Sequence, residues 1–298
     1  MIQISTLALD NFEDYRLLDS GNFLKLEQFG EYILIRPEPQ AVWDSKLSLE
    51  QWRKQAHAEF VAQSSSSGIW KKHKPMLDSW NIVYKLDKHK TIKFNLALTK
   101  FKHVGVFPEQ CVNWDFIFNQ TKKIITQNKT CTVLNLFAYT GGASLAAKAA
   151  GADVVHVDAI KQVVSWANRN MLSSQLTDIR WVVEDALKFV KREVKRGKKY
   201  NGIILDPPAY GHGPNGESWK LEQQINEMLS DVLKLLDNEQ HFFVLNSYSL
   251  GFSSLIIRNL MNDNLAKNKL TVSTIDYGEI YIPSAQQQQL PLGVYCRF

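Results

Sequence analysis

The chain has 298 residues, 45% hydrophobic and 22% charged, with a formal net charge of +5 and a pI near 8.9. This ordinary globular composition excludes disorder and collagen, and the length allows one large domain plus a smaller one. Apolar runs such as Gly202–Leu205 and Phe242–Leu245 are far shorter than the roughly 18 residues of a membrane span, and mean hydropathy is −0.24, so no membrane partner is expected.

The amino-terminal stretch MIQISTLALDNFEDYR lacks a basic region followed by an apolar core, which argues against a signal peptide. Up to about Val106 the pattern is one of short strands and turns, an α+β domain over residues 1–106. Gly21-Asn22 marks a turn, and Tyr32–Arg36 is strand-like before Pro37 and Pro39. Ser48 caps a helix expected to run through Phe60, with Trp52, Ala56 and Phe60 on one face, and Ser64–Ser67 form a loop. Asn81–Leu86 and Thr91–Leu98 read as a hairpin turning at Asp87–Lys90. A helix over Glu109–Gln127 opens a second domain, residues 107–298, in which strands and helices alternate. Its strands are Cys131–Phe137, Asp153–Val157, Arg180–Val183, Gly202–Leu205 and His241–Asn246, and the intervening helices include Gly141–Ala150, Ala159–Leu172, Ala186–Arg196 and Leu221–Leu236. That order predicts an α/β, Rossmann-like, doubly wound and mostly parallel sheet. A helix over Ser253–Asn262 and strand-like runs at Leu270–Tyr277 and Pro291–Arg297 close the chain with an antiparallel edge.

Charge is uneven: residues 1–118 hold 15 Lys+Arg against 14 Asp+Glu, and residues 119–298 hold 20 against 16. Much of the excess lies in Lys188, Lys191, Arg192, Lys195, Arg196, Lys198 and Lys199, a solvated helix face or a patch that tracks phosphates. Cys111, Cys131 and Cys296 are odd in number and lack C-x-x-C spacing, which suggests a reducing cytoplasm and no metal site.

The chemistry concentrates at strand tips. Val133–Gly142, VLNLFAYTGG, is a buried strand that delivers a two-glycine turn into a helix start, a geometry suited to a bound ligand. The next strand ends at Asp158, whose lone pairs match the two hydroxyls of a ribose. The third ends at Glu184-Asp185-Ala186, where Asp185 could accept from an adenine amino group, cap the following helix, or both. The fourth ends Asp206-Pro207-Pro208-Ala209-Tyr210, in which the prolines fix the backbone and withhold N–H donors, leaving carbonyls and a carboxylate as acceptors beside a stacking ring. A dinucleotide-binding dehydrogenase would require G-x-G-x-x-G where this chain has Ala138-Tyr139-Thr140-Gly141-Gly142-Ala143.

On these residues, from about Phe94 to Phe298, the sequence resembles the class I S-adenosylmethionine (SAM)-dependent methyltransferases, specifically the large-subunit ribosomal RNA methyltransferase-like branch. The resemblance implies a seven-stranded sheet and SAM as cofactor. It implies that Asn135, Phe137, Ala138, Tyr139, Thr140, Gly141 and Gly142 form the cofactor loop, with Asp158 and Ala159 at the ribose and Asp185 and Ala186 by the adenine. Asp206, Pro207, Pro208 and Tyr210 would face the methyl group, and Gly105–Gln110, through Phe107 and Gln110, would close over the cofactor. Asp14–Arg36 through Ala41 is similar to a subgroup of this branch, and no RNA-binding PUA domain is recognisable. Cytosine-C5 members carry a cysteine nucleophile on the fifth strand, where this chain has Asn246-Ser247-Tyr248-Ser249, with Tyr248 in the cysteine's place. A phenol of pKa about 10 cannot replace a thiolate at neutral pH. The expected acceptor is therefore a nitrogen, most naturally of a base in RNA. The alternatives are a small-molecule or protein acceptor, or a non-catalytic SAM- or RNA-binding module.

Overall fold

The computed structural model describes residues 4–64, 67–248 and 251–298. Ser65 and Ser66 of the expected serine loop, and Ser249 of the fifth-strand motif, lie outside the described residues. The chain divides into two compact units. One comprises Val112–Ile280, Gly293–Phe298 and the segment ending at Leu7; the other comprises Ala8–Cys111 and Tyr281–Leu292.

The larger unit is organised around a mixed sheet. Taken across the sheet, its strands run Ser5–Ala8, Asp276–Pro283, Gln289–Arg297, Phe242–Ser247, Gly202–Leu205, Thr132–Leu136, Asp153–Asp158 and Ile179–Val183. The last five are mutually parallel, and Phe242–Ser247 pairs antiparallel with Gln289–Arg297. The short edge strand Ser5–Ala8 adds an eighth to the seven expected. The central strands Gly202–Leu205 and Phe242–Ser247 are buried along their whole length, which is why they read as unbroken apolar runs rather than alternating ones. The helices Ala186–Lys195, Leu221–Leu233 and Ser254–Lys267 cover one face through Phe189, Val190, Ile225, Met228, Ile257 and Met261. Chain order reverses between Thr132–Leu136 and Gly202–Leu205, so the carboxyl ends of these neighbours flank a crevice, the place where open α/β sheets bind ligands. Strand pairing begins only at Asp276 in the tail, not at Leu270.

The smaller unit is α+β, with a five-stranded sheet (Tyr15–Gly21, Leu24–Phe29, Tyr32–Pro37, Ala58–Ala62, Gly68–Lys72) and the hairpin Ser79–Lys85/Thr91–Ala97. Asp87 caps that hairpin's turn by accepting from the His89 and Lys90 amides. Ser48 starts a helix through a capping box with Gln51, but the helix stops at Gln55 rather than Phe60. Ala56 is extended, and Ala58–Ala62 pairs parallel with Tyr32–Pro37. Sheet pairing overrides the four-residue spacing and places Phe60 against Trp70 at 5.3 Å. Inside this sheet Glu27 accepts from Arg36 at two positions (2.7 and 2.9 Å) and from the Tyr15 hydroxyl at 2.7 Å. Burial raises the Glu27 carboxyl, but Arg36 and Lys25 outweigh it and hold the group down at about 2. Among the described residues no helix is long and apolar enough to cross a membrane.

Candidate active site

The loop after Thr132–Leu136 has unusual backbone geometry: Phe137 (φ 54°), Tyr139 (φ 48°) and Gly141 (φ 94°) are all left-handed. Two non-glycine residues in that region imply strain, which persists only where neighbours over-determine the loop. Those neighbours are identifiable. Ala138 N–H donates to the Val157 carbonyl, Tyr139 N–H to Asp158 Oδ2 at 2.9 Å, and Asn170 Nδ2 to the Thr140 carbonyl at 2.9 Å. Beneath the loop, Asn135 Nδ2 donates to Ser144 Oγ (2.9 Å), which in turn meets His156 Nδ1 (3.0 Å). All three side chains are buried, and burial pushes His156 down to about 3, so it stays neutral. Asn135, expected at the cofactor, thus has its amide engaged inside the fold.

Each glycine has a distinct reason to be there. Gly141 needs its positive φ, whereas a Cβ on Gly142 would fall 2.6 Å from the Trp114 ring. The second glycine therefore admits a packed indole rather than only a ligand. The helix Gly142–Ala149 that follows has Gly141 at its N-cap and no side-chain cap.

Asp158 ends its strand with both oxygens already accepting, Oδ2 from Tyr139 N–H and Oδ1 from Ile160 N–H (3.0 Å), while lone pairs remain on each. Burial raises its carboxyl above the ordinary value, opposed by the Ile160, Tyr139 and Ala159 amides. Asp185 caps the helix Ala186–Lys195, accepting from Lys188 N–H at 2.8 Å, and Ala186 is buried at the helix start. A cleft of about 510 Å³ runs from Asp185 along that helix past Lys188, Lys191, Arg192 and Lys195, with Glu217 opposite. Lys191 is paired with Glu227 (2.6 Å) and Arg192 with Glu184 (2.5 Å).

Asp206 stands at the end of Gly202–Leu205, across the switch point from the Phe137–Gly142 loop. Burial pushes its carboxyl up to about 6, restrained by Asn246, whose Nδ2 donates to Asp206 Oδ1 at 2.8 Å. The Pro208 carbonyl accepts from Trp219 Nε1 (2.7 Å) and the Ala209 carbonyl from Leu221 N–H (3.0 Å). The Pro207 carbonyl has no such partner among the described residues. The glycine-rich segment Gly211–Gly216 belongs mostly to a short hairpin in which Tyr210–His212 pairs with Ser218–Lys220. Trp219 roots this hairpin by packing on Phe137 at 4.8 Å. Tyr210 remains 56% exposed, its hydroxyl 2.8 Å from His212 Nε2 and its ring edge-on to the imidazole.

Phe107 and Gln110 lie in the smaller unit, at the N-cap and last residue of the short 3₁₀ turn Pro108–Gln110. Three site features escaped the sequence reading: the Asn135–Ser144–His156 chain, the Trp219 anchor and the Asn246 contact. The first and the last leave a trace in the sequence, since Asn135, His156 and Asn246 are polar residues within apolar strands.

A sequence model of the S-adenosylmethionine-dependent methyltransferases matches residues 36–258. The crystal structure of a SAM-dependent methyltransferase from Agrobacterium tumefaciens aligns over 99% of this chain and 93% of its own, at 36% identity and a TM-score of 0.89. A methyltransferase structure complexed with SAH shares the fold at 16% identity (TM-score 0.69, covering 97% of this chain and 76% of its own). Curated relatives include proteins named ribosomal RNA large subunit methyltransferase K/L. That of Shewanella frigidimarina is 33% identical over 149 residues, which is 48% of this chain and 20% of the relative, and that of Colwellia psychrerythraea is 24% identical over 270 residues, 84% and 36%. The chain thus spans only a fifth to about a third of the length of these relatives. A match across most of the chain, on a sheet whose switch point gathers Asp158, Asp206 and a strained glycine loop, makes this protein a member of the S-adenosylmethionine-dependent methyltransferase family.

Proposed function

We propose that this chain transfers the methyl group of SAM to a nitrogen of a base in ribosomal RNA. The observation that carries the acceptor chemistry is the fourth strand tip. Among the described residues, the one side chain that donates to Asp206 is the Asn246 amide, and the Pro207 carbonyl accepts from none. Such a tip suits an N–H-bearing acceptor, because each acceptor can hold one hydrogen while the nitrogen lone pair stays free for in-line attack.

The residues present fit the cofactor. Asp158 keeps lone pairs for a ribose diol, Asp185 and Ala186 lie at the next tip for the adenine, and the helix start after Gly141 lacks a side-chain cap, leaving amides for a carboxylate. In this reading Phe137, Ala138, Tyr139, Thr140 and Gly142 line the loop. When bound, SAM supplies an electrophilic sulfonium methyl. The protein's part is to hold the acceptor nitrogen in line, stack its ring on Tyr210 and draw off its proton toward Asp206.

A covalent route through cysteine has no support. Cys111, Cys131 and Cys296 are all buried, and burial pushes the Cys131 thiol up to about 12 and Cys296 well above its ordinary range. RNA is favoured by the names of the curated relatives and by the cleft beside Asp185, where Lys188 and Lys195 join no ion pair among the described residues. The test is tritium transfer from labelled SAM to in-vitro-transcribed large-subunit rRNA, bulk protein and a metabolite extract in parallel. Label confined to RNA and recovered on a base nitrogen after nucleoside digestion is the expected result. Label in protein or metabolites, or on a carbon, refutes the reading.

A further inference from the structure

Asn246 occupies a position where stability favours an apolar residue. It lies within the buried strand Phe242–Ser247, is only 3% exposed, and follows Phe242-Phe243-Val244-Leu245. A buried amide costs free energy unless its groups are paired. Its Nδ2 reaches Asp206 Oδ1 at 2.8 Å, while its Oδ1 has no hydrogen-bond partner among the described residues. The register explains the encounter. Leu205 lies opposite Leu245 in parallel strands, so the next residues, Asp206 and Asn246, meet at the sheet's carboxyl edge. On the other side the strand Gln289–Arg297 pairs antiparallel, with Ser247 opposite Val294, and then reaches Gly293. Gly293 has φ +149°, and a Cβ there would lie 3.3 Å from Asn246 Oδ1 and 3.2 Å from the Ser247 carbonyl. The seat is therefore fixed on both sides: a carboxylate takes one amide hydrogen, and a glycine leaves room for the amide oxygen.

We propose that Asn246 is a positioning residue for methyl transfer, fixing Asp206 through Oδ1 so that Oδ2 is presented to the acceptor, with Gly293 keeping the space Asn246 needs. This rests on the reading of Asp206 as the acceptor-side carboxylate. Asn246 touches neither cofactor nor acceptor and acts only through its neighbour. Among the described residues no charged side chain acts on Asp206; burial and the Asn246 amide are its two influences. Removing the amide thus frees the carboxylate to rotate and to hold its proton to higher pH.

The experiment compares Asn246→Leu and Asn246→Ser with wild type, each also in an Asp206→Ala background. Methyl transfer to in-vitro-transcribed large-subunit rRNA is measured at saturating tritiated SAM, alongside calorimetric SAM affinity. In parallel, NMR of protein labelled with ¹³Cγ-aspartate follows the Asp206 resonance, identified by its loss in Asp206→Asn. The expected result is a fall in kcat of about 10- to 100-fold with SAM affinity within about twofold, and an Asp206 midpoint moved to higher pH. The expected double variant is no slower than Asp206→Ala alone, because a residue acting through Asp206 has nothing left to act on. An Asp206 resonance that titrates unchanged in both Asn246 variants overturns the proposal, as does an equal further loss in the Asp206→Ala background. Should Asp206→Ala itself leave turnover intact, the acceptor-side reading and the proposal fail together. If the wild type methylates no RNA, the RNA reading fails, and the NMR titration decides the Asn246 contact.

Discussion

Asp206 makes a prediction in which stability and activity move in opposite directions. Its carboxyl ordinarily titrates at 3.8 and is raised to about 6 by burial, with the Asn246 amide opposing. The folded state therefore holds the Asp206 proton more tightly than the unfolded chain does. The contribution is fully favourable below the unfolded pKa and is lost as pH rises through about 6. At ~1.4 kcal/mol per pH unit the full penalty of the ionised form is about 3 kcal/mol, reduced to about 1–3 kcal/mol because the side chain is only part-buried. Asp206→Asn keeps the shape and an acceptor for Asn246 while removing the charge. It should stabilise the protein at pH 7.5 by about 1–3 kcal/mol while lowering methyl transfer by roughly 10²-fold or more. Urea unfolding of both proteins at pH 4, 6 and 7.5 provides the check, with the gap expected to shrink toward zero at pH 4. A variant less stable than wild type at pH 7.5, or a gap that ignores pH, would refute the reasoning that burial and not a charged partner sets this carboxyl.

Asp158→Ala should weaken SAM binding by about 1.5–3 kcal/mol, the worth of hydrogen bonds to a charged group, as read by calorimetry; unchanged affinity removes Asp158 from the ribose role. Single replacements of Cys111, Cys131 and Cys296 by serine should leave turnover within a few-fold, and a trapped covalent adduct with a fluorinated pyrimidine RNA would contradict this. Tyr210→Ala should weaken a stacked acceptor by about 1–3 kcal/mol in KM while Tyr210→Phe, losing only the His212 contact, stays near wild type; abolished turnover in the phenylalanine variant would give the hydroxyl a chemical role. Arg36→Met leaves the buried Glu27 without its main partner and should cost about 3–5 kcal/mol of unfolding free energy, so a melt unchanged at neutral pH would show that the pair is not holding the sheet.

The doubly wound sheet was legible because its strands are short apolar runs separated by amphipathic helices, a pattern set by burial on both faces and readable locally. The strand tips were legible for the same reason, since an acid that directly follows an apolar run must sit at the sheet's edge. Where elements depended on partners distant in sequence, local pattern failed. Trp52, Ala56 and Phe60 keep helical spacing, yet pairing of Ala58 with Leu34 and of Glu59 with Ile35 pulls the last of them into a strand. Gly211–Gly216 looks too glycine-rich to order, yet Trp219 pins the segment as a hairpin through the Pro208 carbonyl and the Phe137 ring.

The parts of the site hidden from the sequence are the ones that hold it still rather than touch a ligand. Glycines at 141 and 142 look alike as letters, but one supplies a positive φ and the other makes way for Trp114. An asparagine next to a serine and a tyrosine drew notice only for the cysteine it accompanies in other enzymes, because nothing local says that Asp206, 40 residues earlier, lies within hydrogen-bond reach. Strain points the same way. The left-handed Phe137 and Tyr139 would relax if their amide and ring contacts were absent, and those contacts come from Asp158, Trp219 and the Asn135–Ser144–His156 chain below. A sequence displays the groups that meet cofactor and acceptor because their chemistry restricts residue type. It conceals the supporting groups because any side chain of the right shape and polarity, arriving from anywhere in the chain, could serve.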